Sequence, residues 1–218
     1  IPADDFEKIF LRRTEPYSDF EVGEDGAKVR VWTTFGKVTP SEQIDLDVNS
    51  EATRQLFTEF FENFSKKGVK IVRLDAVGYI NKIPGSSFFF VEPEIHQFLD
   101  WVTELAHSLD IELLPEVHTH YSIQNKLSEK GHWIYDFILP YRVLEALLNK
   151  NSIALNDYLR KRPEKQFTML DCHDGVPIKP DLDDLYKSED ARKLVDTCLE
   201  RGSNLSLIYA PKYHDDDG

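Results

Sequence analysis

Three times in this chain an apolar run of strand length leads into a carboxylate. Asp75 closes Val72-Arg-Leu-Asp, Glu116 closes Leu113-Leu-Pro-Glu, and Asp174 follows Leu170-Asp-Cys-His. Helical stripes lie between the runs. Ala52, Leu56, Phe57, Phe60, Phe61 and Phe64 share one helical face behind an N-cap at Asn49 or Ser50, and Gly68 stops that helix. Ile95, Phe98, Leu99, Val102, Leu105 and Leu109 form a second stripe before the strand at 111–115. Short apolar strands alternating with helices predict a parallel sheet covered by helices, an α/β fold.

The rhythm continues towards the C-terminus. A helix is predicted over 122–130, a strand over Trp133–Leu139, a helix through Val143, Leu144, Leu147 and Leu148, a strand over Phe167–Asp171 and a helix over 188–201. Residues 1–47 break the pattern. Pro16 and Gly23 punctuate them, and Lys28–Thr34 alternates as a single strand. Periodicity alone leaves a doubly wound sheet and a barrel equally open.

The carboxylates favour the barrel, because (β/α)8 barrels build their active sites at the C-terminal ends of the strands. Arg73 and Asp75 are two residues apart, so they project from one face of their strand. A fixed guanidinium orients an Asp and keeps it ionised, which suits a nucleophile. Asp75 and Glu116 suit a glycosidase pair, in which one attacks the anomeric carbon while the other protonates the leaving oxygen. Carboxyl groups about 5–5.5 Å apart would imply retention through a covalent glycosyl-enzyme.

Charge and composition exclude other classes. The net charge is −13, and Lys and Arg form no stripe, so nucleic acid would be repelled. There is no apolar run of the roughly 18 residues a membrane span requires. Two cysteines, Cys172 and Cys198, are too few for a disulfide framework and read as buried free thiols of a cytoplasmic protein.

Val72-Arg-Leu-Asp-Ala-Val-Gly-Tyr79 resembles the nucleophile motif of the sucrose phosphorylases, within glycoside hydrolase family 13, the α-amylase family. Leu114-Pro-Glu-Val-His118 resembles their acid/base motif, and Leu170-Asp-Cys-His-Asp-Gly175 their fourth motif. Gln43-Ile-Asp-Leu-Asp47 is similar to the motif closing the domain inserted after the third strand, and Tyr135-Asp-Phe-Ile-Leu-Pro140 to the sixth strand. The ordered set covers essentially the whole chain.

The resemblance implies a partial (β/α)8 barrel. Residues 1–48 would belong to a small irregular or β inserted domain, and 49–218 to the barrel from helix 3 to the loop region after strand 7. It implies Asp75 as nucleophile, Glu116 as acid/base and Asp174 as transition-state stabiliser, with Arg73 and His173 assisting. Tyr79, Phe35, Gln43 and His118 would line the sugar site and its acceptor side. Arg12 and Arg13 are candidates for a phosphate, which guanidinium groups match with two donors. No cofactor or metal is implied, and the partners would be a sugar and inorganic phosphate, with a homo-oligomer left open.

The family's first motif and last strand have no counterpart here. An internal segment of a longer, cytoplasmic enzyme is therefore expected, and it should be inactive alone. The expected reaction is phosphorolysis of sucrose or sucrose 6-phosphate to α-glucose 1-phosphate. Glucosylglycerate or glucosylglycerol phosphorolysis, or hydrolysis, are the alternatives on the same scaffold. From other classes, His118-Thr-His120 with His173, Asp174 and Asp75 holds the ligand types of a metal-dependent, amidohydrolase-like barrel. A non-catalytic carbohydrate-binding protein would have less reason to carry all three carboxylates.

Overall fold

The computed structural model describes residues 3–11, 15–24, 26–35, 43–176 and 188–203. Arg12 and Arg13 lie outside them. The described residues fall into two compact units, each treated by itself. The first comprises the stretches up to Val69 and Gly78–Asp110, and the second Lys70–Val77 and the stretches after Asp110.

The first unit opens with a short helix α1 (Ala3–Phe6) and an antiparallel hairpin of β1 (Tyr17–Val22) and β2 (Ala27–Trp32). The predicted strand at 28–34 is thus β2, shifted slightly, and its partner β1 was not foreseen. The turn between them carries Gly23 and Gly26, both at positive φ, which glycine adopts without steric cost. Arg30 clasps Asp19 across the hairpin, at 2.7 and 3.0 Å.

Helix α2 (Glu51–Lys66) begins behind Ser50, and α3 (Glu94–Ser108) carries the predicted stripe inward. Ile95, Phe98, Leu99, Val102 and Ala106 are buried, as period 3.6 requires of a core-facing helix. The two helices meet through aromatics. Phe57 stands edge-on to Phe98 at 5.8 Å, and Arg54 lies over the Trp101 ring at 4.5 Å. Phe60, placed on the apolar stripe by sequence, is 46% exposed, because α2 buries a narrower face centred on Phe61.

In the second unit β3 (Ile71–Leu74) pairs in parallel with β4 (Glu112–Pro115), in the register Ile71↔Glu112 to Leu74↔Pro115. Helix α4 (Tyr121–Glu129) follows, then β5 (Ile134–Tyr135), α5 (Leu139–Asn149), α6 (Ile153–Lys161) and β6 (Gln166–Phe167). β5 pairs in parallel with β6, and Trp133 N–H donates to Leu113 O at 3.1 Å, so β3, β4, β5 and β6 neighbour one another in chain order. Helix α7 (Ser188–Glu200) closes the described part, with Leu194 buried against Ile138 and Tyr141.

Two predicted strands are shorter than expected. The segment 133–139 makes its last bond to β6 through the Asp136 N–H, which donates to Phe167 O at 3.1 Å, and the chain enters α5 at Leu139. The segment 167–171 pairs only at Gln166–Phe167. The helix α6, none of whose residues is fully buried, was not expected from the sequence.

Candidate active site

The parallel register of β3 and β4 continues one step beyond the strands. Glu116 N–H donates to Leu74 O at 3.0 Å, so Asp75 and Glu116 leave the ends of neighbouring strands together. Arg73, on the same strand face as Asp75, reaches both. Its Nη1 lies 2.7 Å from Asp75 Oδ1 and its Nη2 2.7 Å from Glu116 Oε1. One planar guanidinium thus grips two carboxylates through different nitrogens, which a lysine could not reproduce with the same geometry.

The two carboxylates differ in environment. Glu116 is buried, whereas the Asp75 side chain is 71% exposed. Glu116 Oε2 accepts the Ala76 N–H at 3.0 Å, and His118 Nε2 stands 3.4 Å from Oε1. Burial alone would raise the Glu116 pKa, but His118, the Ala76 N–H and Arg73 together hold it well below the usual carboxylate range. Asp75 moves the other way. Desolvation pushes it up, Arg73 pulls it down, and the neighbouring Glu116 charge pushes it up again.

Local backbone makes this possible. Ala76 sits at φ 45°, in the left-handed region, and its N–H is the one donated to Glu116. A β-carbon-bearing residue is disfavoured there by about 1–2 kcal/mol. Strain of this kind clusters at functional sites.

Asp174 joins the group. One donor-type atom each of Glu116, His118 and Asp174 lies within 4.8 Å of the others. His173 Nε2 is 3.5 Å from Asp174 Oδ2 and largely exposed. The sequence-predicted Arg73, Asp75, Glu116, His118, His173 and Asp174 therefore all belong to the second unit, where successive contacts link them. Phe35, Gln43 and Tyr79 belong to the first unit. There Phe35 stands edge-on to Tyr79, with ring centres 5.1 Å apart at 83°, and Gln43 is exposed.

The Glu116, His118 and Asp174 donors, and equally Cys172, His173 and Asp174, have the spacing of a metal site. A cation beside Glu116 would face the Arg73 guanidinium at 2.7 Å from the same carboxylate, which opposes it electrostatically. The arrangement is better suited to acid/base and nucleophilic work by carboxylates.

Sequence reasoning missed several groups. Phe137 stacks on His118 at 4.5 Å and 28°, and Tyr135 on Phe137 at 5.3 Å and 25°. Burial raises the Tyr135 phenol, and Arg73 partly offsets that. Asp136, buried between them in sequence, accepts from Arg162 Nη1 at 2.6 Å, Gln166 Nε2 at 3.2 Å, Leu139 N at 3.1 Å and the Tyr158 hydroxyl. It is a fourth strand-end carboxylate, after Ile134–Tyr135, and the same signature would have marked it had 133–139 not been read as one strand. Cys172 and Cys198 are free thiols, half-buried where full burial was expected.

No protein-family model matches the chain. It is 59% identical over 98% of its length to a sucrose 6(F)-phosphate phosphorylase of Thermoanaerobacterium thermosaccharolyticum, of which it covers 44%. It is 40% identical over 94% of its length to a glucosylglycerol phosphorylase of Marinobacter adhaerens and 36% identical over 95% to a sucrose phosphorylase of Streptococcus mutans, covering 42% of each. A crystal structure of sucrose 6F-phosphate phosphorylase from Thermoanaerobacter thermosaccharolyticum matches with a TM-score of 0.90 and 59% identity, over 96% of this chain and 43% of that one. The chain thus spans less than half the length of the relatives it matches. Its α/β fold and its sequence together show that the chain belongs to the sucrose phosphorylase family.

Proposed function

We propose that the chain is the middle section of a phosphorylase that moves a glucosyl group from sucrose 6-phosphate or sucrose to inorganic phosphate, with retention. The observation that carries this reading is the Arg73 bridge, which holds two carboxylates of unequal environment at the ends of adjacent parallel strands. In the first step a carboxylate oxygen of Asp75 forms a bond to the anomeric carbon while the glycosidic C–O bond breaks. Protonated Glu116 gives its proton to the departing fructosyl oxygen. In the second step a phosphate oxygen attacks the same carbon, the ester to Asp75 breaks, and Glu116 takes up the proton that phosphate loses. The products are fructose 6-phosphate or fructose, and α-glucose 1-phosphate.

The depressed pKa of Glu116 leaves it ionised, the state in which it enters the second step. For the first it must carry a proton, so sugar binding has to loosen the Arg73–Glu116 contact and shift Arg73 towards Asp75. Arg73 already touches both, so the transfer needs no new partner. Asp174, His173 and Arg73 are assigned to the oxocarbenium-like transition state, His118 and Gln43 to the acceptor side, and Tyr79 and Phe35 to the sugar. Arg12 and Arg13 are kept as phosphate candidates. Neither step uses a cofactor or metal.

The fold around this site is proposed as part of a (β/α)8 barrel, supported by two parallel strand pairs that neighbour one another in chain order. Residues 1–48 are assigned to an inserted domain and 49–218 to the barrel. The free thiols of Cys172 and Cys198 fit a cytoplasmic enzyme. The 59% identity to a sucrose 6(F)-phosphate phosphorylase, against 40% to a glucosylglycerol phosphorylase and 36% to a sucrose phosphorylase, favours the phosphorylated donor over the other two.

The test uses the full-length enzyme containing this segment. It is incubated with phosphate and sucrose 6-phosphate, sucrose, or glucosylglycerol in parallel, and the anomeric configuration of the product is followed by NMR. α-Glucose 1-phosphate formed fastest from sucrose 6-phosphate, and lost in Asp75→Asn, is the expected result. Free glucose without glucose 1-phosphate would make the enzyme a hydrolase instead.

A further inference from the structure

Within the first unit, Lys82 is drawn in from solvent. Its side chain is 20% exposed, and its ammonium lies 2.8 Å from Asp45 Oδ2, itself 17% exposed. The same ammonium donates to the backbone carbonyl of Tyr79. Burial pushes the lysine pKa down, and Asp45 pulls it back. Asp45 is fixed in turn. It accepts the Thr34 N–H at 3.0 Å and the Thr34 hydroxyl, while Thr34 Oγ1 accepts the Trp32 indole N–H at 3.1 Å. The Asp45 N–H donates to Trp32 O at 3.0 Å. A continuous polar chain therefore runs within this unit from the end of β2 to the Tyr79 carbonyl.

The Tyr79 ring is held by packing. Phe35 meets it edge-on at 5.1 Å, and Phe89 is tilted against it at 4.8 Å. Gly78 admits that packing, since a β-carbon there would come within 2.8 Å of the Phe89 ring. Aromatic contacts set the ring's neighbours but leave it free to slide along their faces. A directional bond at its own carbonyl does not. A half-desolvated ammonium is a poor choice for stability alone, because an apolar side chain of similar volume often does as well without the desolvation cost.

We propose that Lys82 is a positioning residue for sugar binding. By tying the Tyr79 carbonyl to Asp45 it fixes the corner formed by the Tyr79 and Phe35 rings, against which a glucosyl ring packs. This rests on the assignment of Tyr79 and Phe35 to the sugar under the proposed function.

The experiment measures KM for the glucosyl donor and kcat in the full-length enzyme, for Lys82→Met, Asp45→Asn, Tyr79→Ala and the Lys82→Met/Tyr79→Ala pair. Lys82→Met and Asp45→Asn are expected to raise KM about tenfold with kcat changed less than about threefold, the pattern of lost ground-state binding. In the Tyr79→Ala background, Lys82→Met is expected to change KM by less than about twofold, since the two act as one unit. A purely structural lysine would instead add its effect to that of Tyr79→Ala, and that additivity overturns the proposal. Unchanged KM in both Lys82→Met and Asp45→Asn overturns it as well, as does a Tyr79→Ala variant with wild-type KM. Should Lys82→Met not accumulate folded, Asp45→Asn, which frees the same ammonium, and its pair with Tyr79→Ala replace it in the same comparison. A wild-type enzyme that forms no glucose 1-phosphate from any donor overturns the functional reading first and this assignment with it.

Discussion

Arg73 Nη2 lies 2.7 Å from Glu116 Oε1, although the two residues stand on different strands. The parallel register places Arg73 beside Leu114, so the guanidinium needs only to reach forward along the neighbouring strand to meet Glu116 where that strand ends. The same guanidinium touches Asp75, and removing it therefore affects both reacting groups at once.

Replacing Arg73 with Lys keeps the charge but cannot span both carboxylates with in-plane donors. The expected outcome is a fall in kcat of about 100-fold or more, comparable to losing one preorganised electrostatic donor. Steady-state kinetics of the purified full-length variant checks it. A variant within a few-fold of wild type would mean that the bridge is only structural.

Glu116 and Asp75 should separate by leaving group. In Glu116→Gln, turnover of sucrose 6-phosphate is expected to drop about 1,000-fold, within the usual reach of general acid catalysis. With α-glucosyl fluoride, whose leaving group needs no proton, formation of the glucosyl ester should be nearly unimpaired. In Asp75→Asn both donors should fail alike. Rapid-quench measurement of fluoride release distinguishes the two patterns.

The depressed pKa of Glu116 is also a statement about stability. A carboxylate more acidic in the folded than in the unfolded chain adds stability that is fully present above its unfolded value of 4.5 and is lost as pH falls below it towards the folded value. Wild-type protein should therefore lose more Tm between pH 7 and pH 3 than Glu116→Gln does. Thermal melts across that window are the check, and parallel curves for the two proteins would contradict the assignment.

Ala76 occupies φ 45°, so Ala76→Gly removes a steric cost while loosening the unfolded chain. The net expectation is a stabilisation of about 0.5–1 kcal/mol, read from urea unfolding. Activity should hold, because the N–H that meets Glu116 is a backbone group retained by glycine.

Asp136 is fully buried and neutralises Arg162 at 2.6 Å. Asp136→Ala would leave that guanidinium, the Tyr158 hydroxyl and the Leu139 N–H short of a partner. Breaking one side of a buried pair typically costs about 3–5 kcal/mol. The double variant with Arg162→Met should be less destabilised than the sum of the single ones, and a thermodynamic cycle on Tm or denaturant midpoints measures that coupling.

Much of this could be read along the chain. The stripe from Ile95 to Val102, the strand before Asp75 and the strand before Glu116 appear where their periods place them, because amphipathic spacing is a local property. The contact of Arg73 with Asp75 was also legible, since residues two apart on a strand share a face. The ordered motifs pointed to the family that the comparisons show.

Other features were settled only by folding. Nothing local says that Ala76, 40 residues from Glu116, will be its backbone donor. Nor does it say that Tyr158 and Arg162, 22 and 26 residues away, will enclose Asp136. Lys82 looks like an ordinary surface charge until the chain brings it against Asp45. Periodicity records which face of an element is apolar, and so it finds strands and helices. Which polar groups share a desolvated space depends on how those elements stack, and the energies that decide it arise only once water has been excluded between them.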